Sequence, residues 1–147
     1  LINELALILD GGTSVPSQRL AVKALEIERS DQERNRGLEV FTEKRAIVTK
    51  RFEAIGMECV KEPCGTFYVW ADISSLPKGL NNADKFFKRG LEQKLISIPG
   101  KYFNVCPEDK NSASKQLKNW VRFSFAPSIT NLSMGVEKLA EMVEGSS

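Results

Sequence analysis

The chain is 147 residues long, 41% hydrophobic and 27% charged, with 21 Lys and Arg against 19 Asp and Glu. That leaves room for one folded domain with a real core, and the charge is too balanced for a dedicated nucleic-acid or membrane-surface binder. Histidine is absent, which removes Ser-His-Asp and Cys-His catalysis and nearly every zinc site built on imidazole.

Leu1 to Leu9 reads LINELALIL, with Glu4 in its middle and no initiator Met. It is about half the length of a membrane-crossing helix and lacks the basic leader and small-residue cleavage site of a signal peptide. An apolar run that starts mid-pattern points to a chain cut from something longer. Asp10-Gly11-Gly12-Thr13-Ser14 is a turn cluster, and Ser14 can cap a helix whose first turn carries Pro16. Leu20, Ala21, Ala24, Leu25 and Ile27 follow at helical spacing. Ser30 with Glu33 matches a capping box, so a second helix is expected to restart there. Its apolar stripe is Leu38, Phe41, Val48, Phe52 and Ile55, and Gly56 ends it as a C′ glycine. At about 25 residues and 1.5 Å per residue this helix is roughly 37 Å long, enough to link two bodies.

Strand signals come next. Met57 to Lys61 is a short strand, Pro63-Cys64-Gly65 a turn, and Thr66 to Asp72 a β-branched and aromatic run apolar on both faces, as in a central strand. Asn82 caps a helix expected to run to about Lys94 with Phe86, Phe87 and Leu91 inward. Leu95 to Ile98 reads as a strand stopped by Pro99-Gly100, and Asn104 to Lys118 as a polar loop. Trp120 to Ala126 is the last strand, with Val121, Phe123 and Phe125 on one face. A closing helix carries Leu132, Val136, Leu139 and Val143. The expected fold is α+β: a small sheet of three or four strands covered by helices.

Arg122 stands out chemically. It shares a strand face with Ser124, away from Val121, Phe123 and Phe125. A guanidinium cannot shed its charge, and a carboxylate held bidentately is its natural partner. An arginine on a solvated sheet face, or in a structural ion pair, is the plain alternative. The Gly11–Ser14 turn before a helix can receive a phosphate, but it lacks the glycine spacing of a phosphate-binding loop, and a plain helix-capping turn explains it better. Pro99 to Phe103 is a turn or a loop over a ligand. Ser112-Ala113-Ser114-Lys115 resembles an SxxK motif, yet its polar loop suits an ordinary surface lysine. Cys59, Cys64 and Cys106 are an odd number with no CxxC pair, so they read as reduced thiols of an intracellular protein. Cys59 suits a buried strand and Cys64 a turn. Nothing has metal-ligand spacing.

In this order the pieces resemble the C-terminal part of the class I/II aminotransferases, fold-type-I enzymes dependent on pyridoxal phosphate. The matching run is the long helix with Lys44-Arg45, Arg51-Phe52 and Ile55-Gly56, then Pro63 to Asp72, then Ala83 to Phe86. Ile98 to Phe103, Val121 to Ala126, and Leu132, Gly135, Val136 and Leu139 complete it. The resemblance implies a small domain preceded by a long connecting helix. Residues 1–30 would be a remnant of the large domain and interface with its helix, and residues 31–147 the small domain including the connecting helix. It also implies that Arg122 pairs with the α-carboxylate of an amino-acid or 2-oxo-acid substrate. Thr13 and Ser14 would lie near the partner subunit's cofactor phosphate in a cytoplasmic homodimer. The family's cofactor lysine, its pyridine-nitrogen aspartate and most of its phosphate ligands have no match here. The isolated chain is therefore expected to be an inactive C-terminal fragment, with pyridoxal 5′-phosphate bound only by the intact enzyme. A fragment of a fold-type-I decarboxylase, lyase or acyl-condensing synthase remains open, as does a non-catalytic interaction module.

Overall fold

The structure, a computed structural model, describes Gly12 and residues 14–60, 65–104 and 117–146. Thr13, Cys64, Cys106 and the SxxK-like residues 112–115 lie outside the described residues. Helix α1 is Val15–Ala24. The Ser14 side chain accepts the Ser17 N–H at 3.4 Å and shares a 2.8 Å hydrogen bond with the Ser17 hydroxyl. Helix α2, Ile27–Ala54, has 28 residues. It does not restart at Ser30 as the capping box predicts, because the Ser30 N–H already bonds back to the Glu26 carbonyl at 2.9 Å. The apolar repeat from Leu20 to Ile27 is likewise broken at Leu25, whose N–H closes α1 on the Ala21 carbonyl.

Along α2, Val48 and Phe52 are buried, Phe41 and Ile55 are partly buried, and Leu38 at the start of the stripe is exposed. The helix ends as expected at Gly56, with φ of 82°. The Met57 N–H reaches the Phe52 carbonyl at 2.9 Å and the Gly56 N–H reaches Glu53 at 3.1 Å, the paired bonds of a Schellman cap. The chain divides inside α2 into two compact units, Leu1–Val40 and Phe41–Ser147. The first contains α1, which buries no residue.

The second unit holds the sheet. Strands β1 (Glu58–Cys59), β2 (Tyr68–Asp72), β3 (Ile98–Pro99) and β4 (Trp120–Ser124) are ordered β1-β2-β4-β3 and pair antiparallel throughout. Thus β2 is central, as its two apolar faces predict. It starts at Tyr68 rather than Thr66 because Thr66 turns to φ of 68° and its hydroxyl oxygen takes the Tyr68 N–H at 2.8 Å. Helix α3, Ala83–Glu92, is capped by the Asn82 side chain, which accepts the Lys85 N–H at 3.2 Å. Its buried face is Ala83, Phe86 and Gly90, with Phe87 half-buried. Leu91, expected inward, falls about 100° past that stripe and is exposed. The expected strand over Leu95 to Ile98 shrinks to Ile98–Pro99. Lys94 at φ of 62° turns the chain there, and the Leu95 N–H is taken by Gly90 at 2.8 Å.

Helix α4, Ile129–Glu144, starts on a Ser128 cap and buries Leu132, Val136, Leu139 and Val143, joined by Ala140 and Met142. One core forms between the helices and the inner sheet face, where Val69, Ala71 and Val121 sit with Phe125 beyond the strand end. Phe123 meets Phe52 edge-on at 4.7 Å and Phe86 at 5.9 Å. Arg51 of α2 ties to α4 through Glu137 at 2.9 Å and Glu144 at 3.7 Å.

Candidate functional site

Strand alternation sends Val121 into the core and Arg122 to the opposite face of the sheet. On β4, Arg122 is paired with Trp70 of β2 on one side and Ile98 of β3 on the other, so it occupies the middle of the sheet. Tyr68, two residues before Trp70, is its diagonal neighbour, within reach of a long side chain. The guanidinium carbon lies 3.9 Å from the centre of the Tyr68 ring and 4.4 Å from that of Phe103. Trp70 meets Phe103 edge-on at 4.9 Å and Trp120 at 6.5 Å. The half-buried arginine is therefore walled by aromatic side chains. Among the described residues, no carboxylate pairs with it.

Phe103 reaches this face on a 3-10 turn, Gly100–Phe103. Gly100 is buried, and a Cβ there would stand 2.6 Å from the Leu117 carbonyl oxygen and 2.9 Å from that of Trp120. Only glycine lets the turn lie so close to the backbone leading into β4. One residue on, the Lys101 ammonium pairs with Asp84 of α3 at 2.7 Å, and that hydrogen bond raises the lysine pKa. The turn is thus pinned both to the sheet and to a helix.

A guanidinium carries its donors in its plane. The rings leave its charge unneutralised, and a planar carboxylate can take two parallel hydrogen bonds from those donors. The aromatic wall was not legible in the sequence. The signal was partly present: YVWAD alternates to put Tyr68 and Trp70 on one face, but only the β2–β4 register sets them against Arg122.

Two other candidates, an apolar cavity and a buried thiol, are chemically quiet. An apolar cavity of about 120 Å³ between α2, α4 and the end of β4 is lined by Val48, Phe52, Phe123, Leu132, Gly135 and Val136, among others, and by no titratable side chain. Cys59 is buried, and that burial, with a lesser push from Glu53 and against a pull from Arg45, raises its thiol to about 11. A thiol so hard to ionise is a poor nucleophile. Among the described residues no group of three His, Cys, Asp or Glu could hold a metal ion, and no helix is long and apolar enough to cross a membrane.

Ser14, in the first unit, uses its hydroxyl to cap α1. Lys44, the one buried lysine among the described residues, donates to the Ala126 carbonyl at 3.1 Å and lies 5.4 Å from the Phe41 ring centre. Both side chains thus have partners within the chain.

No protein-family profile matches the chain. Among curated proteins, it is 30% identical over 129 residues to an aspartate aminotransferase of Pyrococcus horikoshii, which covers 87% of this chain and 30% of that protein. It is 29% identical over 128 residues to a (5-formylfuran-3-yl)methyl phosphate transaminase of Methanocaldococcus jannaschii, covering 86% of this chain and 30% of the relative. The chain thus spans about 30% of the length of these relatives. Among solved structures, a mutant aspartate aminotransferase of Thermus thermophilus superposes with a TM-score of 0.75 at 23% identity, over 95% of this chain and 34% of that one. A Methanococcus jannaschii protein, described as similar in its active site to kynurenine aminotransferases, gives 0.73 at 27% identity, over 95% of this chain and 33% of its own. With the long helix leading into a four-stranded α+β unit, these likenesses identify the chain as a C-terminal small domain of the class I/II, fold-type-I aminotransferase family.

Proposed function

We propose that this chain is the C-terminal part of a pyridoxal-phosphate-dependent aminotransferase, in which Arg122 binds the α-carboxylate of the amino-acid and 2-oxo-acid substrates. The observation that carries the reading is a guanidinium in the middle of a sheet, walled by Tyr68 and Phe103, with no carboxylate partner among the described residues. That two relatives are a transaminase and an aspartate aminotransferase supports the reaction class. Holding the carboxylate at two points fixes one end of the substrate, so its reacting carbon meets the catalytic groups in one orientation. Pyridoxal 5′-phosphate supplies the electron sink in the intact enzyme. Its lysine and most of its ligands belong, on this reading, to the remainder of the parent polypeptide, and the isolated chain is inactive. Residues 1–30 are the remnant of the large domain, and Thr13 and Ser14 approach the partner subunit's cofactor phosphate in a cytoplasmic homodimer.

The test is Arg122→Ala in the intact enzyme, with the isolated chain as the inactive control. Loss of two charge-assisted hydrogen bonds costs on the order of 3 kcal/mol, about a hundredfold in kcat/KM, expressed mainly as a higher KM. Near-normal kinetics with an amino-acid substrate would refute the assignment.

A further inference from the structure

We infer that Tyr68 and Phe103 are positioning residues for Arg122, holding the guanidinium so that its donor edge is presented before any substrate arrives. This rests on the reading of Arg122 as the carboxylate-binding residue. The two rings come from different parts of the chain, and each is fixed by its own means. Tyr68 is set by the β2–β4 register, in which it pairs with Ser124, two residues beyond Arg122. Phe103 is set by its turn, which Gly100 seats against the Leu117 and Trp120 carbonyls and the Lys101–Asp84 pair ties to α3. Trp70, directly opposite Arg122, buttresses Phe103 edge-on at 4.9 Å.

Ring contacts at 3.9 and 4.4 Å from the guanidinium carbon are within cation–π range. The rings attract the cation without neutralising its charge, so a carboxylate still meets a charged partner. An arginine side chain loses much rotamer freedom when it is immobilised. Here that freedom is removed on folding, which lowers what substrate binding must still order.

The first test uses the 147-residue chain and nuclear magnetic resonance of the Arg122 Nε–Hε group. Two nearby rings should shift this resonance by their ring currents and slow rotation of the guanidinium. Phe103→Leu and Tyr68→Leu, which keep an apolar side chain but remove the ring, should each move the resonance towards the value of a free arginine. The ring-keeping exchanges Phe103→Tyr and Tyr68→Phe should recover the wild-type signal. In the intact enzyme each leucine variant should raise KM about tenfold with kcat within about twofold, because the interaction serves ground and transition states alike. Two folded leucine variants with wild-type resonance and wild-type KM, alongside an Arg122→Ala variant with raised KM, would overturn the positioning role and leave the carboxylate assignment standing. An unchanged KM in Arg122→Ala would overturn both.

Discussion

Cys59 shows how far one residue's chemistry is set by where its strand lies. β1 brings it against the core, and burial keeps the thiol protonated well past its ordinary range. The sign follows from proton binding. From 9.0, where the unfolded chain releases the proton, to about 11, where the folded chain does, the native state binds more protons than the unfolded one. The stabilisation is complete below pH 9.0 and is lost as pH rises through about 11. In a Cys64→Ser, Cys106→Ser background, Cys59 should react with a thiol-specific disulfide reagent at pH 8 only on unfolding. Modification of the native protein at the rate of a free thiol would show that the burial argument is wrong. Arg122 stands at the other extreme: its charge is permanent, so its surroundings govern direction and reach rather than protonation.

Among the elements, α3 carries a local conflict between residue and conformation. Its end is a Schellman cap, with Lys94 N–H bonded to Leu91 at 2.9 Å and Leu95 N–H to Gly90 at 2.8 Å, yet the left-handed position is a lysine at φ of 62°. A side chain with a Cβ is strained there, whereas α2 places a glycine at the same point of its own cap. Lys94→Gly should stabilise the protein by about 1 kcal/mol, seen as a higher urea midpoint at constant slope. A lowered midpoint would mean that the lysine makes up for its strain elsewhere.

The same comparison explains what sequence can reveal. The caps at Ser14, Asn82 and Gly56 were legible because each is decided by residues three to five apart. So were the buried face of α4 and the α+β class, which follow from period alone. Leu91 was misplaced because the buried stripe of α3 is chosen by what packs on it, here through Gly90, a residue with no apolar side chain to announce it. The strand at Leu95 was misplaced because the left-handed lysine before it carries no glycine signal. Arg122 could be singled out from alternation, but Tyr68 and Phe103 could not be joined to it, since no local rule fixes the register of distant strands.

In the molecule as a whole, the core and the Arg122 face are two sides of one sheet. Phe52 lies at the centre of the inner side, 1% exposed and in edge contact with Phe123, the neighbour of Arg122 along β4. Phe52→Ala should cost about 3–5 kcal/mol, a large part of the roughly 5–15 kcal/mol that holds an ordinary domain together. The measurement is chemical denaturation of the isolated chain. A cost below about 1 kcal/mol would mean that the inner face is not tightly packed against α2. The long helix therefore does more than lead into the small domain, because its last turns form part of the floor beneath the arginine strand.

The strand order has a consequence for how the protein is made. β3 pairs with β4 and not with its predecessors, and β4, the last strand in the chain, inserts between β2 and β3. A nascent chain that has emerged as far as Asn104 can close only the two-residue ladder of β1 on β2, and β3 has to wait without a strand partner. Arrival of Trp120 to Ser124 from the ribosome completes the sheet and delivers the arginine in one event, so translation that stops short of this strand leaves neither.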